Sequence, residues 1–335
     1  MFLPLGTPLF LTESERKGKT YTTIKTFLFF LVLFFIGNAL QSVVLTPVLY
    51  VLMLTDPAYY DVLNGEYGST AEMIESITAY AEKLYERPVV VPIMLFATVG
   101  TIIACLVFCR LIEKRSFASM GLQKKGALPA YLRGLLLGLL LFAVAVGFSL
   151  FFGAIRFTGV NSAFSPALAL LLFLGYLVQG FSEELLCRGM LMVSTARRAP
   201  LWYGLLVSAF TFSLLHTANN GFALLPFLNI FLFGLLMGLY MIRGGSIWGA
   251  AALHSIWNFA EGVLTSFPVS GTKMPTHLFT FATEEGRELF HGGLFGPEGG
   301  LGVTFVLAVA VTLFAMAETK KAPPATPSAE NTDKK

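Results

Sequence analysis

The stretch Gln179-Gly-Phe-Ser-Glu-Glu-Leu-Leu-Cys-Arg-Gly-Met190 decides the fold and points to the site. It lies inside an apolar run long enough to cross a bilayer. Yet it carries two adjacent carboxylates, Glu183 and Glu184, with Arg188 one helical turn beyond the second. Insertion scales set each such charge at roughly 2.5 to 3.5 kcal/mol near a helix centre. Three charges so close together are a large local cost that the rest of the fold must offset. Charges at that depth mark function by default.

The surroundings are those of an integral membrane protein. The 335 residues are 55% hydrophobic and only 13% charged, against about 25% charged in soluble domains, and the mean hydropathy is +0.72. The net charge of +3 says little, and no nucleic acid is expected as a partner. Cys105, Cys109 and Cys187 all fall in apolar runs without metal-knuckle spacing, so they read as small packing residues. The segment Met1-Phe-Leu-Pro-Leu-Gly-Thr-Pro8 lacks a basic region before its apolar stretch and does not read as a cleaved signal. The first span then serves as an uncleaved anchor.

About 20 apolar residues cross the hydrocarbon core. On that rule eight spans are expected, near 27–54, 88–109, 134–154, 165–195, 201–217, 222–242, 245–265 and 300–317. The fold class is an all-α polytopic bundle. Asn38, Gln41 and Pro47 predict a kink or tilt in the overlong first span. The expected division is an interfacial segment 1–26, a three-helix part 27–154 with loop 55–87, and a catalytic core 165–265. Loop 266–299, a last span 300–317 and a disordered tail 318–335 follow.

Lys and Arg collect before the first span (Arg16, Lys17, Lys19, Lys25) and after the second (Arg110, Lys114, Arg115, Lys124, Lys125, Arg133). They also follow the fourth and sixth spans (Arg197, Arg198, Arg243) and end the tail (Lys320, Lys321, Lys334, Lys335). Loop 55–87 instead carries seven acids from Asp56 to Glu86 against Lys83 and Arg87. This bias predicts cytoplasmic N and C termini and extracytoplasmic loops at 55–87 and 266–299. A bacterial plasma membrane is the expected location.

Inside the spans, the charged residues reduce to Glu183, Glu184, Arg188 and Glu261, and the histidines to His216 and His254. At 1.5 Å per residue, Glu183 lies roughly 20 Å, His216 roughly 24 Å and His254 roughly 15 Å from the cytoplasmic ends of their helices. Three helices can thus present Glu, His and His to one buried cavity. His254 and Asn258 share a face, as do Glu184 and Arg188, and Phe212 and His216. Gly189, Gly204, Gly234, Gly238 and Gly249 allow the helices to approach closely.

These residue types support water activation. A carboxylate beside a histidine accepts a proton from water, and a second histidine with an amide one turn away offers donors to an oxyanion. Arg188 holds Glu184 ionised and leaves Glu183 for proton transfer. The same Glu183, His216 and His254 are alternatively ligands of a divalent metal such as zinc, although no H-E-x-x-H helix is present.

Glu183-Glu184-x-x-x-Arg188, Phe212-x-x-x-His216 and His254-x-x-x-Asn258, in order on hydrophobic helices, resemble the CPBP intramembrane protease family. That family groups type II CAAX prenyl endopeptidases with bacteriocin-processing and self-immunity (Abi) proteins. The resemblance covers about residues 165–265, and Arg115–Leu122 is similar to the linker upstream of that core. It implies proteolysis of a peptide or membrane-associated protein at the bilayer. Glu183 and His216 would activate the water, His254 and Asn258 would bind the oxyanion, and Glu184 and Arg188 would brace the site. Glu261 is outside the motifs; it either tunes the site or pairs with a lumenal donor, the second reading being favoured.

Two other function classes compete. One is a non-catalytic membrane protein of bacteriocin self-immunity or scaffold type, keeping the motifs for structure. The other is a proton-coupled transporter using Glu183 and Glu184, which the lack of an internal repeat disfavours. The bland reading makes Glu184 and Arg188 a structural ion pair, Phe212 packing, and Asn219 and Asn220 a helix cap and turn. Oligomeric state is not encoded in these patterns.

Overall fold

The computed structural model describes residues 5–8, 10–12, 19–85 and 87–318. Arg16, Lys17, Glu86 and the tail from 319, with Lys320, Lys321, Lys334 and Lys335, lie outside the described residues.

The protein is mostly helical, and among the described residues five helices are long and apolar enough to cross a membrane: α1 Thr23–Leu54, α4 Val90–Ile112, α5 Ala127–Phe151, α6 Pro166–Ala196 and α8 Leu224–Gly244. Two short helices, α2 Pro57–Leu63 and α3 Thr70–Tyr85, occupy the segment expected as loop 55–87. The expected span 201–217 yields α7 Leu201–Leu214, shorter than a bilayer crossing, because the chain turns at Leu215 and carries His216 past the helix end. The expected span 245–265 is α9, Trp248–Phe259, continued by a π-helical turn at Ala260–Leu264. A one-turn helix α10, Glu288–His291, precedes the last apolar helix, α11 Leu301–Met316.

The helix ends obey local chemistry. Thr22 caps α1 by accepting from the Lys25 N–H, and Ser165 caps α6 by accepting from the Leu168 N–H, with Pro166 in the first turn. Helix α1 continues through Pro47 for 32 residues. It is only 22% buried over its most apolar window, as expected of a lipid-facing helix.

One element lies outside an all-α description. Strand β1, Ile155–Val160, pairs antiparallel with β2, Phe279–Thr283, with Ile155 opposite Thr283 and Val160 opposite Phe279. Its β-branched and aromatic residues suit a half-covered ribbon. The ribbon ties the end of α5 to the segment 266–299, which is therefore folded structure rather than a simple loop.

Helices α5, α6 and α8 pack around α9, α7 packs on α8 and reaches α9 through Phe212, and the core includes Trp257, Phe212 and Phe233. Close approach depends on missing side chains. A Cβ on Gly138 of α5 would meet Leu253 O at 2.7 Å, and one on Gly180 of α6 would meet Ser255 Oγ at 2.5 Å. Gly180 and Ser255 adjoin the acidic and histidine motifs, so this contact sets the distance across the site. Glycines 204, 234 and 249 also sit at tight contacts.

Candidate active site

The acidic motif lies where α6 changes its winding. The helix is α-helical through Glu184 and π-helical from Leu185 to Met192. A second π turn follows Asn258 on α9. Such widened turns occur frequently at functional sites, and here they flank both polar motifs.

Glu184 and Arg188 are fully buried and joined at 2.9 Å between Oε1 and Nη1. The same Oε1 lies 2.9 Å from His254 Nδ1. Arg188 also donates to Gly234 O on α8 at 3.2 Å, and its guanidinium lies 4.5 Å over the Phe212 ring. The other face of the arrangement is aromatic: Phe212 packs against His216 at 4.8 Å and His254 at 5.8 Å, and Phe233 packs against His254 at 5.1 Å. Phe212 is thus the hub that holds a cation and two imidazoles. The buried charges offset one another through this ladder, which is how an apolar helix tolerates them.

Glu183 lives in a different environment. Its side chain is 32% exposed, and Oε2 stands 3.7 Å from His254 Nε2. Oε1 accepts from Gln179 Nε2 at 2.5 Å, and Gln179 Oε1 in turn accepts from Asn258 Nδ2 at 3.1 Å. Oε2 is buried and has no hydrogen-bond partner among the described residues.

Glu183, His216, His254 and Asn258 line one cavity of about 290 Å3. His216 reaches it from the turn after α7, its Nδ1 held 2.8 Å from Phe212 O, so Nε2 is the nitrogen left for the cavity. Val91, Met94 and Leu95 of α4 and Ile230 and Phe233 of α8 form apolar walls. The residues the sequence singles out as water activators and oxyanion donors are therefore brought together. The imidazole adjoining Glu183 is that of His254, and no ion pair joins Glu183 to His216.

Three cavity residues escape the sequence reading. Gln179 opens the quoted motif and sits four residues before Glu183 on the same face, a signal that was available. Asn219, read as a cap or turn, faces the cavity. Glu298 comes from the segment after α10, where nothing in the sequence marks it as near the core. Glu261 is buried on the π turn of α9, and its Oε1 accepts from the Glu298 N–H at 3.4 Å.

The linker has a buried network of its own. Arg115 pairs with Glu113 at 2.6 Å and donates to Gly189 O at 3.1 Å, inside the π segment of α6. It also donates to Ser119 and Ser194. The Arg115–Leu122 stretch thus holds the winding that follows Glu184.

The possible metal ligands Glu183, His216 and His254 form no such set. Among the described residues, no three His, Cys, Asp or Glu side chains stand together as metal ligands. His254 Nδ1 is committed to Glu184 and His216 Nδ1 to a carbonyl. These bonds leave the Nε2 atoms of both imidazoles, the nitrogens a metal-bound histidine would also use, to the cavity. The three cysteines are buried and free.

A membrane helix bundle with a buried acid and imidazole site at its centre is the class this geometry defines. Residues 164–260 match the family described as type II CAAX prenyl endopeptidase Rce1-like. The matched segment carries all three motifs, and the match is to the family that those motifs resemble. No curated protein matches the chain.

Proposed function

We propose that this protein is an intramembrane endopeptidase that hydrolyses a peptide bond with a water activated by Glu183. The observation that carries the reading is Glu183, a carboxylate that lines the cavity and whose Oε2, without a hydrogen-bond partner among the described residues, stands 3.7 Å from His254 Nε2.

In this reading the Glu183 carboxylate takes the proton of a water while Gln179 holds its Oε1. His216 directs Nε2 at the same water. The water oxygen bonds to the scissile carbonyl carbon, and the resulting oxyanion accepts hydrogen bonds from His254 Nε2–H and the free Asn258 N–H. Glu184 holds His254 in the required orientation through Nδ1, as a carboxylate does for a histidine in hydrolytic triads. Arg188 keeps that carboxylate in place. The apolar walls from α4 and α8 favour an apolar side chain next to the scissile bond. The substrate class is a peptide or membrane-associated protein entering from the bilayer. A prenylated C-terminal peptide is the first candidate by the family's description. The charge bias along the chain supports an orientation with both termini on the cytoplasmic side.

The test is cleavage profiling of purified protein on a peptide library, wild type against Glu183→Gln. Loss of a general base lowers the rate by about 10²- to 10⁴-fold. Full activity in Glu183→Gln overturns the mechanism.

A further inference from the structure

The turn at 296–300 is held more firmly than a connecting loop requires. Gly296 takes φ 93°, and a Cβ there would collide with Pro268 O. Asn229, fully buried on α8, donates to Glu298 O at 2.7 Å and Gly300 O at 3.0 Å, and accepts from Thr304 on α11 at 2.7 Å. With Glu261 below the Glu298 N–H, polar groups from three helices fix one backbone position. Polar groups buried among apolar helices are expensive, and these are spent on aiming one side chain.

That side chain enters the cavity of Glu183, His216 and His254 and is 4% exposed. Its Oε2 accepts from Ser270 Oγ at 2.5 Å. Ser270 itself has φ 46°, unusual for a residue with a Cβ, as is common where backbone is held for function. Among the described residues Glu298 is in no ion pair. A neutral Gln would satisfy Ser270 with less desolvation, so the carboxyl group calls for an explanation through its proton. Burial pushes its pKa upward, against the opposing pull of Ser270 and the two histidines. The cavity thus holds two carboxyl groups in contrasting surroundings: Glu183, partly open and held by an amide, and Glu298, enclosed and bonded to a hydroxyl. Such contrast is how acid and base roles are divided between like groups.

We propose that Glu298 is a second catalytic carboxyl of this site, the proton donor to the departing amine. This rests on the hydrolytic reading above and adds a role that the three motifs do not contain. Glu183 takes a proton from water as the water oxygen bonds to the carbonyl carbon. When the C–N bond breaks, its electron pair stays on nitrogen, which takes the proton of Glu298. The proton on Glu183 returns to Glu298 through cavity water. One water is consumed, one acid and one amine are released, and both carboxyls regain their starting states.

The experiment compares two probes: the peptide best cleaved in the profile, and its analogue with a thioester at the scissile bond. A thiolate, with a thiol pKa of about 8.5, departs without needing a proton donor. Glu298→Gln is expected to cleave the amide about 10²- to 10⁴-fold more slowly while cleaving the thioester at the wild-type rate. Glu183→Gln loses both. Wild-type cleavage of the amide by Glu298→Gln, or equal loss on both probes, overturns the inference. Folding is read from the reactivity of the three buried thiols. If Glu298→Gln does not fold, Glu298→Asp keeps the acid but withdraws it, and a loss confined to the amide supports the proposal equally. Selective amide loss in Glu298→Gln beside a fully active Glu183→Gln would sink the role of Glu183 and leave this one standing. A wild-type protein that cleaves neither probe overturns both.

Discussion

Glu184 reaches from α6 to His254 on α9, Oε1 to Nδ1 at 2.9 Å, while the same oxygen holds Arg188 at 2.9 Å. One carboxylate oxygen therefore serves two helices, balancing a buried cation and fixing an imidazole. The adjacent Glu183 has no such duties, and the two neighbours should behave differently when neutralised.

Glu184→Gln leaves Arg188 as an uncompensated buried cation, a defect of about 3–5 kcal/mol. Thermal unfolding, followed with a thiol-reactive dye that reports exposure of Cys105, Cys109 and Cys187, should begin at clearly lower temperature in Glu184→Gln. Glu183→Gln should unfold with the wild type although it is inactive. Equal unfolding of the two variants would contradict the separation of a bracing from a reacting carboxylate.

Much of this site was legible because chemistry and helical spacing coincide in it. Charges in apolar helices are rare enough that Glu183, Glu184, Arg188, His216, His254 and Asn258 stand out, and four-residue spacing puts each motif on one face. The pairing across helices was not legible. Which imidazole adjoins Glu183 depends on the approach of α6 to α9 at Gly180 and Ser255, a tertiary distance with no local sequence signal. Glu298 was hidden for a similar reason: an acid in a glycine-rich connection reads as solvated until Asn229 and Glu261 are seen to hold it. The end of α7 was not legible either, since apolar runs show where helices form but not where the chain turns to deliver His216.

Gln179 offers a sharper test of preorganisation. It donates to Glu183 and accepts from Asn258, so Gln179→Met removes a hydrogen bond to a charged group while keeping the volume. Such bonds are worth about 1.5–3 kcal/mol. If the loss falls on the transition state, kcat should drop by roughly ten- to 150-fold with KM little changed. A change confined to KM would instead make Gln179 a substrate-binding residue.

Cleavage should withstand chelators. Among the described residues no three His, Cys, Asp or Glu side chains are grouped as metal ligands, and the mechanism proposed above uses Glu183 and the two imidazoles directly. Excess EDTA and phenanthroline are expected to leave the rate unchanged, and added zinc should not raise it. Inactivation reversed by zinc would return Glu183, His216 and His254 to the role of metal ligands.

The enclosed position of Glu298 makes the fold itself sensitive to pH. Its pKa lies above the ordinary carboxylate range because burial penalises the charged form. Below that range both folded and unfolded chains carry the proton, and Glu298 gives no pH dependence. As pH rises past it, the unfolded chain ionises first, the folded chain binds more protons, and stability falls until the folded carboxyl has also titrated. Wild-type protein should therefore lose unfolding temperature from the acid range upward, and Glu298→Gln should lose less over the same interval. The difference between the two curves isolates Glu298 from Glu261, His216 and His254, which both proteins share. Parallel curves would mean that Glu298 titrates alike in the folded and unfolded chains, which is incompatible with a carboxyl that keeps its proton for the leaving amine.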